Sequence, residues 1–443
     1  MKNFASASGL RPRLAITLAI TTLITGLLAT ACQDATNTNQ GSQGQNNSTA
    51  STTNAKGLKI GSLLPATGDL APIGQAMLAS VPLAVEKANQ CGGVNGEPVT
   101  LVAEDDQTDP TAGAEGMTKL AEADRVAGVV GSFASSVSSA AVDVAARNQV
   151  MLISPGSTSP VFTERAKKGD FQGYWARTAP PDTYQARALA KLASDRGFKR
   201  VSTIVINNDY GVGFEKEFVE AFKKQGGTVV NEARPTRYDP KATTFETEAA
   251  AAFGGKPDAV VAVLYAETGS LLLKSAYEQG LTEGVQVMLT DGVKSDEFPK
   301  QVGKTSDGKF IITNAIGTVP GADGKSLDAL AQLWQEKKGQ AVSAYVPHSW
   351  DATALLMLAA EAAKANTGAG IQSKLRDVAN APGTEISDVC EGLKLLRAGQ
   401  DINYQGASGN VDIDENGDVV GSYDVWSVKD DGTLANVGKV QPE

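Results

Sequence analysis

Two patches of glycine and serine contain the residue types best suited to binding a small anion. Gly-Ser-Phe-Ala-Ser-Ser occupies residues 131–136, and Ser-Pro-Gly-Ser-Thr-Ser occupies residues 154–159. Small residues let a ligand approach the backbone, and hydroxyl and free N–H groups at a helix start suit a carboxylate. Serine capping of ordinary strand-to-helix turns is the alternative interpretation of either patch alone. The two neighbouring patches together favour a small anion pocket.

Parallel strands are needed to bring the patches together. Residues 126–130 and 150–153 are short apolar runs, and the carboxyl ends of neighbouring parallel strands are where α/β folds bind ligands. A pocket that holds a carboxylate on one wall and an ammonium on the other also needs an acid, and Asp291 follows another apolar run. A solvated turn is the alternative for Asp291 alone. Tyr210 and Tyr265, also at predicted strand ends, could close over the apolar body of a ligand.

Catalytic and metal-binding chemistry finds little support in the sequence. His348 is the only histidine, it has no nucleophile elbow beside it, and a partly exposed position at a helix start is the preferred interpretation. Residues 412–418 are rich in acids, but Tyr423 stands where a calcium loop needs an acid, so a turn at Asn416 and Gly417 is favoured. We expect no enzyme activity, no metal and no cofactor.

The elements that position these residues alternate between strand and helix, which is typical of an α/β fold with parallel sheets. One strand-and-helix set precedes the double proline at residues 180–181 and a second set of similar size follows it. Further strands and helices then return, which suggests that the chain crosses back and forms a hinge beside a ligand cleft. The predicted strands are 58–64, 99–103, 126–130, 150–153, 201–206, 228–232, 259–264, 286–289 and 310–314.

The amino end has the pattern of a bacterial export signal. Lys2, Arg11 and Arg13 precede the apolar run 14–28, and Ala-Thr-Ala stands directly before Cys32. Cys32 resembles the lipid-attachment cysteine of a lipoprotein box, with ordinary cleavage beside an incidental cysteine as the alternative. Polar residues then continue to residue 53 and predict a flexible tether.

Charge and cysteine content restrict the partners and the compartment. The formal net charge of the 443 residues is −10, and it becomes −13 when the three basic residues of the signal are removed. Without a basic patch, nucleic acid is not an expected partner. Cys91 and Cys390 remain after Cys32, and an exported compartment permits one long-range disulfide between them. Two separate buried thiols are the alternative.

Seven segments together resemble the type I periplasmic binding proteins, specifically the branched-chain and neutral amino-acid group that feeds ABC importers. The resemblance covers residues 58–439. Its segments are IGSLLPATGDLAPIG (60–74), EDDQTDP (104–110), GVVGSFASSVS (128–138), LISPGSTSP (152–160), NNDYGVGF (207–214), LTDGV (289–293) and YQGASGNVDIDENGD (404–418).

The resemblance implies a fold of two Rossmann-like lobes joined by a three-strand hinge. It places lobe 1 at residues 57–177 and 315–420 and lobe 2 at residues 178–314 and 421–443, after a signal peptide at 1–31 and a tether at 32–56.

The resemblance also implies the ligand contacts. Ser135, Ser157 and Thr158 correspond to the family's carboxylate-binding positions, and Asp291 to the acid that meets the ammonium, where many members have glutamate. Tyr210 and Tyr265 match aromatic positions on the second lobe.

The expected function is therefore capture of neutral L-amino acids by closure of two lobes. We expect a lipid-anchored monomer on the periplasmic side of a bacterial membrane, with ABC permease subunits as partners. The alternative is the same fold binding urea, short amides or another small polar solute.

Overall fold

Residues 57–441 of a computed structural model are described, and they contain two main sheets, each at the centre of one lobe. The lobe 1 sheet is entirely parallel, with the strand order β2-β1-β3-β4-β5. Its last three strands are buried along their whole length, because helices cover both faces of the sheet. The strands are β1 Lys59–Leu64, β2 Thr100–Asp105, β3 Gly128–Gly131, β4 Met151–Ser154 and β5 Trp175–Arg177.

Helices from two separate parts of the chain pack on this sheet. The second group follows residue 320, and its long apolar helix α11 contacts α1, β3 and β4. The helices of the first group are α1 Ala71–Gln90, α2 Pro110–Thr118, α3 Ser135–Arg147 and α4 Val161–Lys167, with a π-helical turn at Lys119–Ala123. The second group comprises α10 Leu327–Lys338, α11 Val346–Ala363, α12 Gly368–Ala379 and α13 Val389–Arg397, with the short strands β12 Thr384–Ile386 and β13 Ile402–Tyr404.

The lobe 2 sheet is mixed, with the order β15-β14-β11-β10-β9-β6-β7 and β8 beside β6. Its last two strands along the chain pair antiparallel at one edge. The strands are β6 Arg200–Ile206, β7 Thr228–Val229, β8 Thr236–Tyr238, β9 Ala259–Val263, β10 Gln286–Leu289, β11 Ile316–Pro320, β14 Tyr423–Val428 and β15 Leu434–Val440. The helices are α5 Asp182–Asp195, α6 Asp209–Lys224, α7 Glu246–Phe253, α8 Ala266–Glu278 and α9 Phe298–Val302, with a 3-10 turn at Asp291–Val293.

The α/β fold class and the two-lobe architecture agree with the sequence prediction, but one crossing point differs. The prediction of a strand at 310–314 is wrong, because this segment forms turns in which Asn314 has a φ of 68°. The strand begins instead at Ile316, pairs with β10 and β14, and therefore belongs to lobe 2. The chain returns to lobe 1 after Pro320. Residues 316–320, which were predicted to belong to lobe 1, therefore belong to lobe 2.

Asp182 is the first residue of α5, because the double proline places the extended N-cap residue at Pro181. One local prediction also needs correction. The strand predicted over 228–232 is only the two residues of β7, since the following residues turn. The predicted turn at Asn416 and Gly417 is present, with Gly417 at a φ of 84°.

Cys91 and Cys390 are bonded to each other in the structure, with their Cα atoms 5.5 Å apart. The bond joins the end of α1 to the start of α13, and both helices belong to lobe 1. The predicted signal peptide, the tether and Cys32 lie outside the described residues. None of the helices in residues 57–441 combines the length and the apolar character that a bilayer span requires.

Candidate ligand-binding site

A small cavity lies between the lobes, at the carboxyl ends of the central strands of both sheets. Its position is the one where α/β sheets bind ligands. Lobe 1 contributes Leu70, Phe133, Ala134, Ser135 and Gly156 to the lining, and lobe 2 contributes Tyr210, Tyr265, Asp291 and Gly292.

A larger open groove lies elsewhere, along α6 on the surface of lobe 2. Its lining includes charged side chains that pair with one another, such as Lys223 with Glu232 and Arg237 with Glu215. None of the predicted site residues lies in this groove. The interlobe cavity is therefore the candidate site.

The first serine patch reaches the cavity through a sharp turn after β3. Gly131 has a φ of 145°, and a Cβ atom there would lie 2.1 Å from the carbonyl oxygen of Leu63. Glycine is therefore required, and the chain turns at once into α3, which begins at the buried Ser135. The first N–H groups of a helix have no partner within the helix; the N–H of Val137 donates to the Ala134 carbonyl oxygen, and those of Ser135 and Ser136 precede it at this end of the cavity.

The second serine patch is fixed to the first by hydrogen bonds. The Ser154 Oγ donates to the Ser132 carbonyl oxygen at 2.5 Å and accepts from the Ser157 backbone N at 2.8 Å. The Ser157 Oγ lies within hydrogen-bond distance of the carbonyl oxygens of Ser132 and Phe133, at 3.0 and 3.1 Å. The Ser157 hydroxyl thus belongs to the frame behind the cavity, and Gly156 lines the cavity in its place.

Arg177 supports the second patch from behind. Its guanidinium group is fully buried, and Nη1 donates to the carbonyl oxygens of Ser157 and Ser159, both at 2.9 Å. Nε donates to Asp418 Oδ1 at 2.8 Å, so the charge of the guanidinium is balanced by a carboxylate. This pair leaves Arg177 little excess positive charge to offer to other groups.

Asp291 dominates the opposite wall. It follows β10 and is 2% exposed, and its carboxylate accepts three hydrogen bonds from neutral groups. Gln185 Nε2 and the Tyr210 hydroxyl donate to Oδ1 at 2.7 and 2.9 Å, and the Tyr345 hydroxyl donates to Oδ2 at 2.7 Å. Burial raises the pKa of Asp291, and these hydrogen bonds oppose that effect.

A second acid, Asp182, is buried near Asp291. Its carboxyl oxygens have no hydrogen-bond partner of normal geometry, and neither does the buried Thr158 hydroxyl. Burial and the charge of Asp291 raise the pKa of Asp182, while Thr158 and Arg177 lower it. Because Arg177 is already paired with Asp418, the carboxylate of Asp291 has no cation dedicated to it. Such a site can hold a cation.

Aromatic rings enclose the remainder of the cavity. The rings of Tyr210 and Tyr265 stack with centroids 5.8 Å apart, and Phe133 meets Tyr345 edge-on at 4.7 Å. His348 packs against Tyr345 with ring centroids 5.2 Å apart. The prediction that His348 is partly exposed is wrong: it is 1% exposed, and burial lowers its pKa to about 3, so the ring is neutral.

Comparisons with known proteins agree with this geometry. The family described as the receptor family ligand binding region matches residues 76–431. The Leu/Ile/Val-binding protein homolog 1 of Brucella abortus (strain 2308) is 31% identical over 316 residues, which cover 69% of this chain and 79% of the relative. The chain belongs to the leucine-binding family of type I periplasmic binding proteins.

Solved structures with this fold hold different ligands. The branched-chain amino acid transporter substrate binding protein LivJ of Streptococcus pneumoniae, in complex with isoleucine, shares 22% identity and a TM-score of 0.71, covering 87% of this chain and 100% of that one. An ABC transporter solute binding protein of R. palustris, in complex with benzoate, shares 20% identity and a TM-score of 0.68, covering 87% and 97%. These likenesses show the fold. The present chain is a periplasmic binding protein of the ABC transporter type, and its ligand has to be argued from its own site.

The structure brings together four of the six predicted ligand-binding residues of this family member. Ser135, Tyr210, Tyr265 and Asp291 line the cavity, whereas Ser157 and Thr158 are absent from its lining. Sequence reasoning missed the groups that surround Asp291. These groups are Asp182, Gln185 and Tyr345, and no sequence pattern near them marks them as site residues. The lining residues Leu70 and Phe133 were not predicted either, although both lie in segments that carry the family resemblance.

Proposed function

We propose that this protein captures neutral L-amino acids outside the cytoplasm and delivers them to the permease of an ABC importer. The observation that supports this most is the opposition of two walls across the small cavity between the lobes. Lobe 1 offers neutral hydrogen-bond donors, and lobe 2 offers a buried carboxylate. A zwitterion has one group for each wall.

The carboxylate of the ligand would lie against lobe 1. Ser135 begins α3, and helix starts favour anions because their N–H groups are unpaired and the helix dipole is positive there. The Ser135 Oγ accepts from the Ser159 backbone N at 3.2 Å, which leaves its own hydrogen free to donate to a ligand. Ser157 and Thr158 would act through the shape and the backbone of their turn.

The ammonium group would lie against Asp291. A buried carboxylate is costly unless it is hydrogen-bonded and paired, and Asp291 has hydrogen bonds from neutral donors only. A ligand ammonium would supply the missing positive charge.

Closure would couple binding to transport. Each wall belongs to a different lobe, so a ligand that touches both stabilises the closed form over the open one. No bond is made or broken in this account. Among residues 57–441 the one histidine is fully buried, and it is absent from the cavity lining.

Export and anchoring complete the proposal. The basic start, the apolar run and Cys32 in the first 32 residues would direct the chain out of the cytoplasm and attach it to a membrane through a lipid. Cys32→Ala should move the protein from the membrane fraction to the soluble fraction. Retention of the variant in the membrane fraction would contradict lipid attachment at Cys32.

An aromatic carboxylate is the second candidate ligand. One structural neighbour is in complex with benzoate, and the present cavity has tyrosine and phenylalanine in its lining. Such a ligand would use the lobe 1 wall and would leave Asp291 without a positive partner.

A thermal-shift screen tests the proposal directly. Protein freed of carried ligand by unfolding and refolding would be screened against the twenty amino acids, benzoate, urea and acetamide. A ligand that binds only the folded state raises the melting temperature, by an amount set by its concentration relative to Kd. We expect the largest shifts from neutral amino acids. A response to benzoate, urea or acetamide without any response to amino acids would overturn the proposal.

A further inference from the structure

We propose that Asp69 sets ligand affinity by capping a helix of the opposite lobe, so that the cap forms only when the cleft is closed. Asp69 lies in lobe 1, in the loop between β1 and α1, and the capped helix is α8 in lobe 2. This inference rests on the proposed function for its choice of ligand, but the cap itself involves no ligand group.

The hydrogen bonds of Asp69 are those of a helix N-cap. Its Oδ1 accepts from the backbone N of Glu267 and, at 3.4 Å, from that of Thr268, and its Oδ2 accepts from the Thr268 hydroxyl at 2.7 Å. Glu267 and Thr268 are the second and third residues of α8, whose amides an N-cap side chain normally satisfies. The N-cap residue of α8 itself, Tyr265, makes no side-chain cap hydrogen bond.

The reason for this arrangement lies in the cavity. Tyr265 uses its side chain to line the ligand cavity, so the helix start has to obtain its acceptor elsewhere. Leu70, the neighbour of Asp69, lines the same cavity from lobe 1. The cap therefore lies next to one lining residue from each lobe, Leu70 and Tyr265. It forms only when closure of the cleft brings these two residues together.

A second helix of lobe 2 provides the contrast. α6 also begins at the cleft, next to the lining residue Tyr210, but its N-cap is the side chain of Asn208, which accepts from the Gly211 backbone N at 3.0 Å. Asn208 belongs to lobe 2 and can cap α6 whether the cleft is open or closed. Opening leaves α6 capped but leaves α8 with exposed amides and Asp69 with a hydrated carboxylate.

The effect on affinity follows from this difference. A contact that exists only in the closed form raises the closed population, and apparent affinity rises in proportion to the competent population. Helix caps have effects that correspond to about a 2- to 30-fold change in an equilibrium constant. Asp69 is a positioning residue in this account, because it acts through the loop of Leu70 and the start of α8.

The test compares Asp69→Ala with Asn208→Ala by calorimetric titration of L-leucine. Asp69→Ala should weaken binding about 2- to 30-fold through faster dissociation, and the melting temperature of the free protein should change little. Asp69→Asn should restore most of the affinity, because asparagine is an equally good N-cap. Asn208→Ala should lower the melting temperature, and its effect on the leucine affinity should be smaller than that of Asp69→Ala.

Two outcomes would overturn the cap: an unchanged affinity in Asp69→Ala, or an equal loss of affinity in Asn208→Ala. Failure of the proposed function gives a different result. If the wild-type protein ignores leucine but binds benzoate, the amino-acid assignment fails, and the same comparison is made with benzoate. Because the cap touches no ligand group, Asp69→Ala must weaken whichever solute the wild-type protein binds, and an unchanged affinity for that solute would refute the cap.

Discussion

The two walls of the cleft are built in opposite ways. The lobe 1 wall comes from two loops close in sequence, residues 131–136 and 154–159, which are held together by hydrogen bonds between serines and backbone carbonyls. The lobe 2 wall centres on one carboxylate, Asp291, whose partners Gln185 and Tyr345 lie 106 and 54 residues away along the chain.

The two walls also differ in charge. The lobe 1 wall is neutral, and its buried guanidinium, that of Arg177, is balanced by Asp418. The lobe 2 wall has the buried carboxylate of Asp291, which accepts hydrogen bonds from neutral groups only. A ligand with one anionic and one cationic end would be oriented by this asymmetry.

The largest effect is expected from removing the charge of the lobe 2 wall. Asp291→Asn keeps the shape, but it leaves the ligand ammonium buried without its anionic partner. Breaking one side of a buried charge pair costs about 2–5 kcal/mol, or roughly 30- to several-thousand-fold in Kd. Calorimetric titration with several neutral amino acids should show this loss for each of them.

The control for Asp291→Asn is an uncharged solute or benzoate, whichever the wild-type protein binds measurably. Such ligands contain no ammonium, so their affinity should change little. Near-wild-type affinities for amino acids would show that Asp291 does not pair with the ligand.

The disulfide should stabilise lobe 1 without contributing to ligand binding. Replacing Cys91 and Cys390 with serine should lower the free energy of unfolding by about 2–5 kcal/mol, because the bond closes a long loop. Ligand affinity should stay nearly constant, since neither cysteine lines the cavity. Urea unfolding measures the first quantity and calorimetry the second. Two free thiols at these positions in unreduced, exported protein would contradict the bond.

Ser135→Ala weakens the lobe 1 wall by one donor. A hydrogen bond to a charged group contributes about 1.5–3 kcal/mol, so amino acids should bind at least roughly tenfold more weakly. The melting temperature of the free protein should change little. Ser157→Ala is the matched control, because its hydroxyl serves the frame: this variant should lower the melting temperature more than the affinity. A larger loss of affinity in Ser157→Ala than in Ser135→Ala would contradict these roles of the two serines.

The buried His348 should make the stability of the folded protein depend on pH. Its pKa is lowered to about 3 by burial, against about 6.5 in the unfolded chain, so the unfolded state binds more protons between these values. Stability from this group is therefore complete above pH 6.5 and is lost as the pH falls, by about 1.4 kcal/mol per pH unit.

The variant His348→Gln should remove this slope. Asp106 and Asp351, whose pKa values burial raises to about 6, contribute the opposite slope between about pH 4 and 6 in both proteins, so they cancel in the comparison. Urea unfolding at pH 7, 5 and 4 provides the measurement. Equal pH dependence in the two proteins would show that His348 is accessible to protons in the folded state.

The sequence could predict the lobe 1 wall because its chemistry is local. Glycines and serines after apolar runs indicate strand ends, and neighbouring strand ends meet at one edge of a sheet. The same reasoning placed Tyr210, Tyr265 and Asp291 at strand ends on the cleft. The family resemblance assigned Ser157 to the ligand, whereas in the structure its hydroxyl is engaged with carbonyl oxygens.

The partners of Asp291 could not be predicted in this way. Gln185 lies inside helix α5, and Tyr345 precedes α11 in a segment that returns from the other lobe. The contact of Gln185 depends on how α5 packs on the lobe 2 sheet, and that of Tyr345 on how the two lobes close; no local pattern encodes either. The Asp69 cap has the same origin, since nothing near Asp69 in the sequence points to Thr268.

The central claim is that one ligand is recognised at both charged ends. The most direct measurement is calorimetric titration of the wild-type protein with L-leucine, 4-methylpentanoate, which lacks the ammonium, and 3-methylbutylamine, which lacks the carboxylate. We predict that leucine binds and that each analogue binds at least roughly 30-fold more weakly, because each leaves one wall without its partner. Equal affinity of leucine and 4-methylpentanoate would contradict the account, since the acids of lobe 2 would then play no part in recognition.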